Sequence, residues 1–149
     1  MEKTEPRVVM PPLGSGELLS SWLARGAQRT GVSAHTFGRR LVGDEALWTR
    51  DIDCTVSAQL LQRMAEETGV APERLRAATL LPERNAMASG SAITPWLLAL
   101  GIFHRKRKRH GLQYCPHWLL ESGHFGRDWR FAFSVWCDAH HRALLYQSV

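Results

Sequence analysis

The sequence is poor in cysteine, with three in 149 residues, an odd count that cannot close entirely into pairs. A disulfide framework is therefore not the expectation, and metal binding is the better role for cysteines that sit near histidines. No apolar run approaches the roughly 20 residues that a bilayer span needs, and the opening MEKTEPRVVM lacks the apolar core of a signal peptide. A cytoplasmic protein that makes no membrane contact is expected. Neither a phosphate-cradling glycine loop nor a nucleophile beside a base is present, which argues against an NTPase and against covalent hydrolysis. Excess charge is missing from most of the chain as well. Arg105, Lys106, Arg107, Lys108 and Arg109 supply five of the 19 cations, and the remaining 14 balance the 14 acids. The net charge of +5 thus describes a near-neutral body carrying one basic strap.

What is there suits a folded protein, with 44% hydrophobic and 22% charged residues. Residues 1–16 hold three prolines and two glycines and read as an extended arm. Over 17–28 the apolar residues Leu18, Leu19, Trp22, Leu23 and Ala27 recur at helical spacing, with Ser15 as the expected cap and Gly31 as a stop. Ser33 caps a second helix over 35–42, in which His35 stands apart from any other ligand type. Residues 44–55 lack periodicity and read as a loop with solvated acids, Asp44, Glu45, Asp51 and Asp53. Leu60, Leu61, Met64 and Ala65 then form one helical face, Gly69 breaks it, and residues 72–79 start another helix. This small-residue, glycine and apolar order is that of a helix-turn-helix, whose second helix would bring Arg74 and Arg76 near phosphates or bases. Residues 80–92 read as a linker, and 93–103 as a buried apolar helix with Pro95 in its first turn. The strap 105–109 that follows offers contacts to backbone phosphates.

The tail YCPHWLLESGHFGRDWRFAFSVWCDAHH gathers two of the three cysteines and four of the seven histidines. Cys115 opens it, and Cys137 with His140 closes it in a Cys-x-x-His step, a spacing that aims two ligands at one tetrahedral Zn²⁺. The fourth ligand is His117 or His124, both nearby in sequence. With no general base beside the cluster, a structural module is expected rather than a hydrolytic centre.

Three stretches carry a family resemblance. MPPLGSGELLSSWLARGA holds Glu17, Ser21, Trp22, Leu23 and Arg25; YCPHWL follows later; and RDWRFAFSVWCDAHH holds Arg127, Trp129, Arg130, Cys137 and His140. In this order they resemble the TniQ family of transposition proteins. Where that family has the second cysteine of a Cys-Pro-x-Cys step, Trp118 stands here. The resemblance implies a non-catalytic adaptor that links target-site recognition to the transposon machinery. The implied partners are an AAA+ ATPase and other transposition proteins, with a CRISPR effector complex in RNA-guided systems; the strap and the helix-turn-helix add DNA as an expected partner, and a homodimer is a further expectation. The other reading of the same helices is a small DNA-binding transcription regulator. The expected architecture is mostly α: an arm over 1–16, a helix-turn-helix-type domain over 17–92, and a zinc-finger-like module over 93–149 that includes the apolar helix and the strap.

Overall fold

In the computed structural model, residues 8–43, 47–48, 50–86, 97–98 and 111–147 are described. Among them run seven α-helices: α1 (Leu19–Thr30), α2 (Ala34–Val42), α3 (Ile52–Thr55), α4 (Ala58–Thr68), α5 (Pro72–Ala77), α6 (Leu81–Ala86) and α7 (Pro116–Ser122). Four short strands accompany them: β1 (Leu112–Tyr114), β2 (Trp136–Cys137), β3 (Arg142–Ala143) and β4 (Leu145–Gln147). β1 pairs antiparallel with β4, Gln113 opposite Tyr146, and β2 with β3, Cys137 opposite Arg142. About half of the described residues are helical, and among them the paired strands are confined to the tail.

The helices form where apolar spacing and capping agree. α1 buries Leu19, Trp22, Leu23 and Ala27 along one stripe and stops at Gly31, whose left-handed φ of 69° lets its N–H close onto Ala27 and Gln28. Ser33 caps α2 by accepting from the Thr36 N–H at 3.1 Å, and Ser57 caps α4 through the Leu60 N–H at 3.1 Å. Phe37, Leu41, Leu61, Met64 and Leu75 join Trp22 in the main core. At α1 the expected cap fails. Leu18, not Ser15, is the N-cap, and it makes no side-chain cap bond. The first N–H groups of the helix find remote partners instead, Leu19 donating to the Ala78 carbonyl at 2.9 Å and Ser20 to an Asp53 carboxylate oxygen at 2.9 Å.

The loop expected over 44–55 differs from the structure in two respects. Residues Ile52–Thr55 are helical, and Asp53 is 1% exposed rather than solvated. Asp44 and Glu45 lie outside the described residues. The Asp53 carboxylate accepts from the Ser20 N–H and hydroxyl, while the Arg130 guanidinium donates to Asp53 at 3.0 Å and to both oxygens of Asp51. Burial pushes the Asp53 carboxyl above its ordinary range, against the pull of Arg130 and of the two Ser20 donors. Burial also tends to lower Arg130, but its hydrogen bond with Asp51 and the charges of Asp51 and Asp53 outweigh it and hold the guanidinium above its ordinary value. Cys54 is pushed up to about 12 by burial first and by the Asp51 charge second, so it stays a neutral thiol.

The expected linker over 80–92 is also partly regular. Residues 81–86 form α6, with Leu81 buried and Glu83 paired with Arg127; residues 87–92 lie outside the described residues. Of the apolar stretch 93–103 only Leu97 and Leu98 are described. Both meet the tail, Leu97 bridging to Phe131 and the Leu98 N–H donating to the Arg130 carbonyl at 2.8 Å. Residues 105–109 lie outside the described residues.

The tail is held to the helices by the 3-10 turn Arg127–Arg130. Arg127 donates from its backbone N–H to Gly16 at 2.7 Å and from Nε to the Thr79 carbonyl at 2.8 Å, and it pairs with Glu83. Arg130 adds Asp51, Asp53 and, through Nε, the Leu98 carbonyl at 3.2 Å. At the other end of the chain Glu17, 1% exposed, accepts from the Gly14 N–H, the Ser21 hydroxyl and Arg25 at 2.7 Å, and the Trp22 indole donates to the Pro11 carbonyl. These clasps fold the arm and the tail onto one helical body.

Removing Arg130 leaves the buried Asp53 and the partly buried Asp51 without their counter-charge. The Arg130→Ala variant is expected to lose about 3–5 kcal/mol at neutral pH, as when one partner of a buried pair is deleted. The loss should shrink as pH falls through the raised Asp53 value, because a protonated Asp53 no longer needs a counter-charge. Urea unfolding at several pH values reads this out; a pH-independent loss of less than about 1 kcal/mol would show that the cluster behaves like a surface pair.

Candidate metal centre

Four pieces of local structure build the cluster. Cys115 sits between the end of β1 and Pro116, the first residue of α7, at the N-cap of that helix, where the N–H groups of the first turn favour a thiolate. Cys137 ends β2, and the turn 138–141 returns the chain to β3 through His141 at φ 47°. That turn lifts His140 over the two sulfurs. Its Nδ1 lies 3.6 Å from the Cys115 Sγ and 3.4 Å from the Cys137 Sγ, and the three ligand atoms fall within 4.8 Å of one another. Cys115 is wholly buried and Cys137 nearly so, beside Trp129 and Leu144.

The electrostatics suit a cation. Burial tends to raise the Cys115 thiol, yet the Trp118 N–H, the Cys137 thiol, the His117 N–H and the Arg142 charge together hold it below the ordinary thiol range. Cys137 goes the other way: burial raises it, and its hydrogen bond with Cys115 and the Cys115 charge add to that, against the N–H groups of His140 and Ala139. Two thiols in contact cannot both ionise cheaply without a positive charge between them. A two-sulfur, one-imidazole set fits a borderline-soft divalent ion such as Zn²⁺. Cys115, Cys137 and His140 would hold it, and bound there it would act as a cross-link between β1, β2 and the β2–β3 turn.

Of the five tail residues expected as ligands, the fold brings these three together. His117 is exposed on α7, its Nε2 3.1 Å from an Arg142 nitrogen and its ring edge-on to His140 at 5.6 Å between centroids. His124 is buried on the arm side, packed so tightly on Gly14 that a Cβ there would lie 2.6 Å from the ring. Its Nδ1 meets the Ser122 carbonyl at 3.3 Å, and it stands edge-on to Trp118. Trp118, in the place of a second cysteine, sets its ring against both His124 and His140. Arg74 and Arg76 are exposed on α5, and Arg105, Lys106, Arg107, Lys108 and Arg109 lie outside the described residues.

One contributor had no signal in the sequence. Glu121, on the last turn of α7, places a carboxylate oxygen 3.0 Å from the His140 Nε2. With Nδ1 facing the sulfurs, an Nε2–H would donate its hydrogen bond to the Glu121 carboxylate, an arrangement that orients the ring and favours that tautomer. Nineteen residues separate the two, and only the return of the chain through β2 brings them into contact.

Chelation is expected to loosen residues 111–147 while leaving α1, α2 and α4 helical, since structural Zn²⁺ in small modules contributes roughly 10–16 kcal/mol of apparent binding. Hydrogen exchange with and without chelator checks this, and equal protection of the tail in both would exclude a structural metal. The Glu121→Ala variant should bind Zn²⁺ about tenfold more weakly in competition with a chromophoric chelator, with Glu121→Gln intermediate.

No curated protein matches the chain. The TniQ family model, a family associated with transposition, matches residues 8–144, nearly the whole length. That match takes in the arginine clasps and the Cys115, Cys137 and His140 cluster, and by it the chain belongs to the TniQ family.

Proposed function

We propose that this chain is a non-catalytic adaptor in DNA transposition, linking target-site recognition to the transposon machinery and touching DNA as it does so. The observation that carries the reading is the family match over residues 8–144. The arrangement of the chain supports it. An adaptor has to present several surfaces in fixed relation, and the Arg127 and Arg130 clasp locks the tail to α3, α6 and the start of α1. The Cys115, Cys137 and His140 centre, holding Zn²⁺, would stiffen the tail surface; the fourth position falls to His117 or His124 if either side chain turns toward the cluster, and otherwise to water.

In this reading the helix-turn-helix of α4 and α5 and the strap of Arg105 to Arg109 supply DNA contact, with Arg74 and Arg76 on the second helix. The protein partners are an AAA+ ATPase and other transposition proteins, with a CRISPR effector in RNA-guided systems and a homodimer as further assemblies. The transcription-regulator alternative has no observation that favours it over the family role.

The test is co-sedimentation of an AAA+ transposition ATPase with the chain on duplex DNA. The ATPase should be retained only when the chain is present. Replacing Arg105–Arg109 with glutamine should flatten the salt dependence of DNA binding by about one unit of slope for each phosphate that is no longer neutralised. Retention of the ATPase by DNA alone, or no retention with the chain, overturns the adaptor role.

A further inference from the structure

The chain has three cysteines, and all three are free thiols. Cys54 stands apart, packed against Leu18, Leu80, Leu97 and Phe131. Cys115 and Cys137 meet. They come from opposite ends of the tail, share a hydrogen bond, and flank one imidazole nitrogen, the His140 Nδ1, at 3.6 and 3.4 Å. Their sulfurs lie within 4.8 Å of each other. A disulfide bond is about 2 Å long, so closing one asks for less than about 3 Å of movement shared between two side chains. With no third thiol in the cluster, only one pairing is available there.

The two sulfurs differ in how they are held. Cys115 is wholly buried at the junction of β1 and α7, beside Trp129. Cys137 ends a two-residue strand and opens a turn in which Asp138, Ala139 and His141 are exposed. A small reagent therefore reaches the pair from the turn, and the turn is the part that yields. A bound tetrahedral ion opposes the closure, because two Zn–S bonds of about 2.3 Å keep the sulfurs roughly 3.8 Å apart and occupy their lone pairs.

We propose that Cys115 and Cys137 form a redox-active dithiol that alternates between a metal-holding pair and a disulfide, with a small-molecule disulfide as its oxidant. One protein thiolate attacks a sulfur of the oxidant, breaking its S–S bond and releasing one thiolate. The second protein thiolate then attacks the protein sulfur of that mixed disulfide, forming the Cys115–Cys137 bond and releasing the other thiolate. The dithiol gives up two electrons, and its two protons end on the thiols that leave. What remains of the ligand set, His140 alone, no longer retains a divalent ion. The change is local: the new bond still joins β1 to β2, whereas the turn 138–141 loses its tie, and the Arg127 and Arg130 clasps use none of these groups. In a reducing compartment such a disulfide is transient and sensing rather than structural, which suits two thiols held together but unbonded. The inference rests on the reading that the cluster holds a divalent metal.

The test exposes the full chain, metal-free and Zn²⁺-loaded, to oxidised glutathione, and follows intact mass, non-reducing peptide mapping and Zn²⁺ release to a chromophoric chelator. The metal-free chain should lose two hydrogens in mass, with Cys115 joined to Cys137 and Cys54 still free for alkylation after unfolding. The loaded chain should react at least about tenfold more slowly and release Zn²⁺ in step with disulfide formation, and excess thiol should restore Zn²⁺ binding. Cys137→Ser should stop at a glutathione adduct on Cys115. The mapping is done on the parent chain, so the result does not depend on that variant folding. Glutathione adducts on the parent without a Cys115–Cys137 bond, or equal rates for the loaded and metal-free forms, overturn the inference while leaving the metal centre standing. If the chain takes up no Zn²⁺, the metal reading and this inference fall together.

Discussion

A guanidinium buried to 3% exposure, with two carboxylates around it, sets the terms for the rest of the molecule. Arg130 arrives from the tail, Asp51 and Asp53 from the segment before α4, and the Ser20 N–H at the start of α1 shares the Asp53 carboxylate. None of these groups can be desolvated alone without a cost of several kcal/mol, so each element is committed only when the others are in place. Three segments far apart in sequence are thereby made to fold as one. The pairing explains why α1 has no side-chain cap of its own: its end is completed by the residues that hold the tail.

The metal centre depends on charge in the same way. The tail has little apolar core, with Trp129, Phe125, Leu119 and Leu144 gathered around Cys115 and Cys137. Short strands of two and three residues do not hold such a module by pairing alone. Two thiols held together, one lowered by backbone N–H groups and by Arg142 and the other raised by burial, make a site suited to a cation. Glu121 adds direction by deciding which imidazole nitrogen faces the sulfurs. The clasp and a metal at this cluster would divide the work: the arginines fasten the tail to the helices, and an ion held by Cys115, Cys137 and His140 would stiffen what they fasten.

Elements with local signals could be placed before any coordinates. Apolar spacing with a serine cap and a glycine stop placed α2 and α4, and the same spacing with Gly31 placed α1; the Cys-x-x-His step and the lone upstream cysteine named three residues that the fold does gather. The motif arginines Arg127 and Arg130 were legible through family resemblance, but not what they do. Folding was needed to turn Asp51 and Asp53 from loop acids into buried partners, because nothing within a few residues of them reveals a cation 77 positions away from Asp53. Folding also completed α1 with remote groups, set Glu83 of α6 against an arginine of the tail, and brought Glu121 to His140. Local chemistry fixes where a helix starts and stops; long-range charge pairing and desolvation decide what it is fastened to.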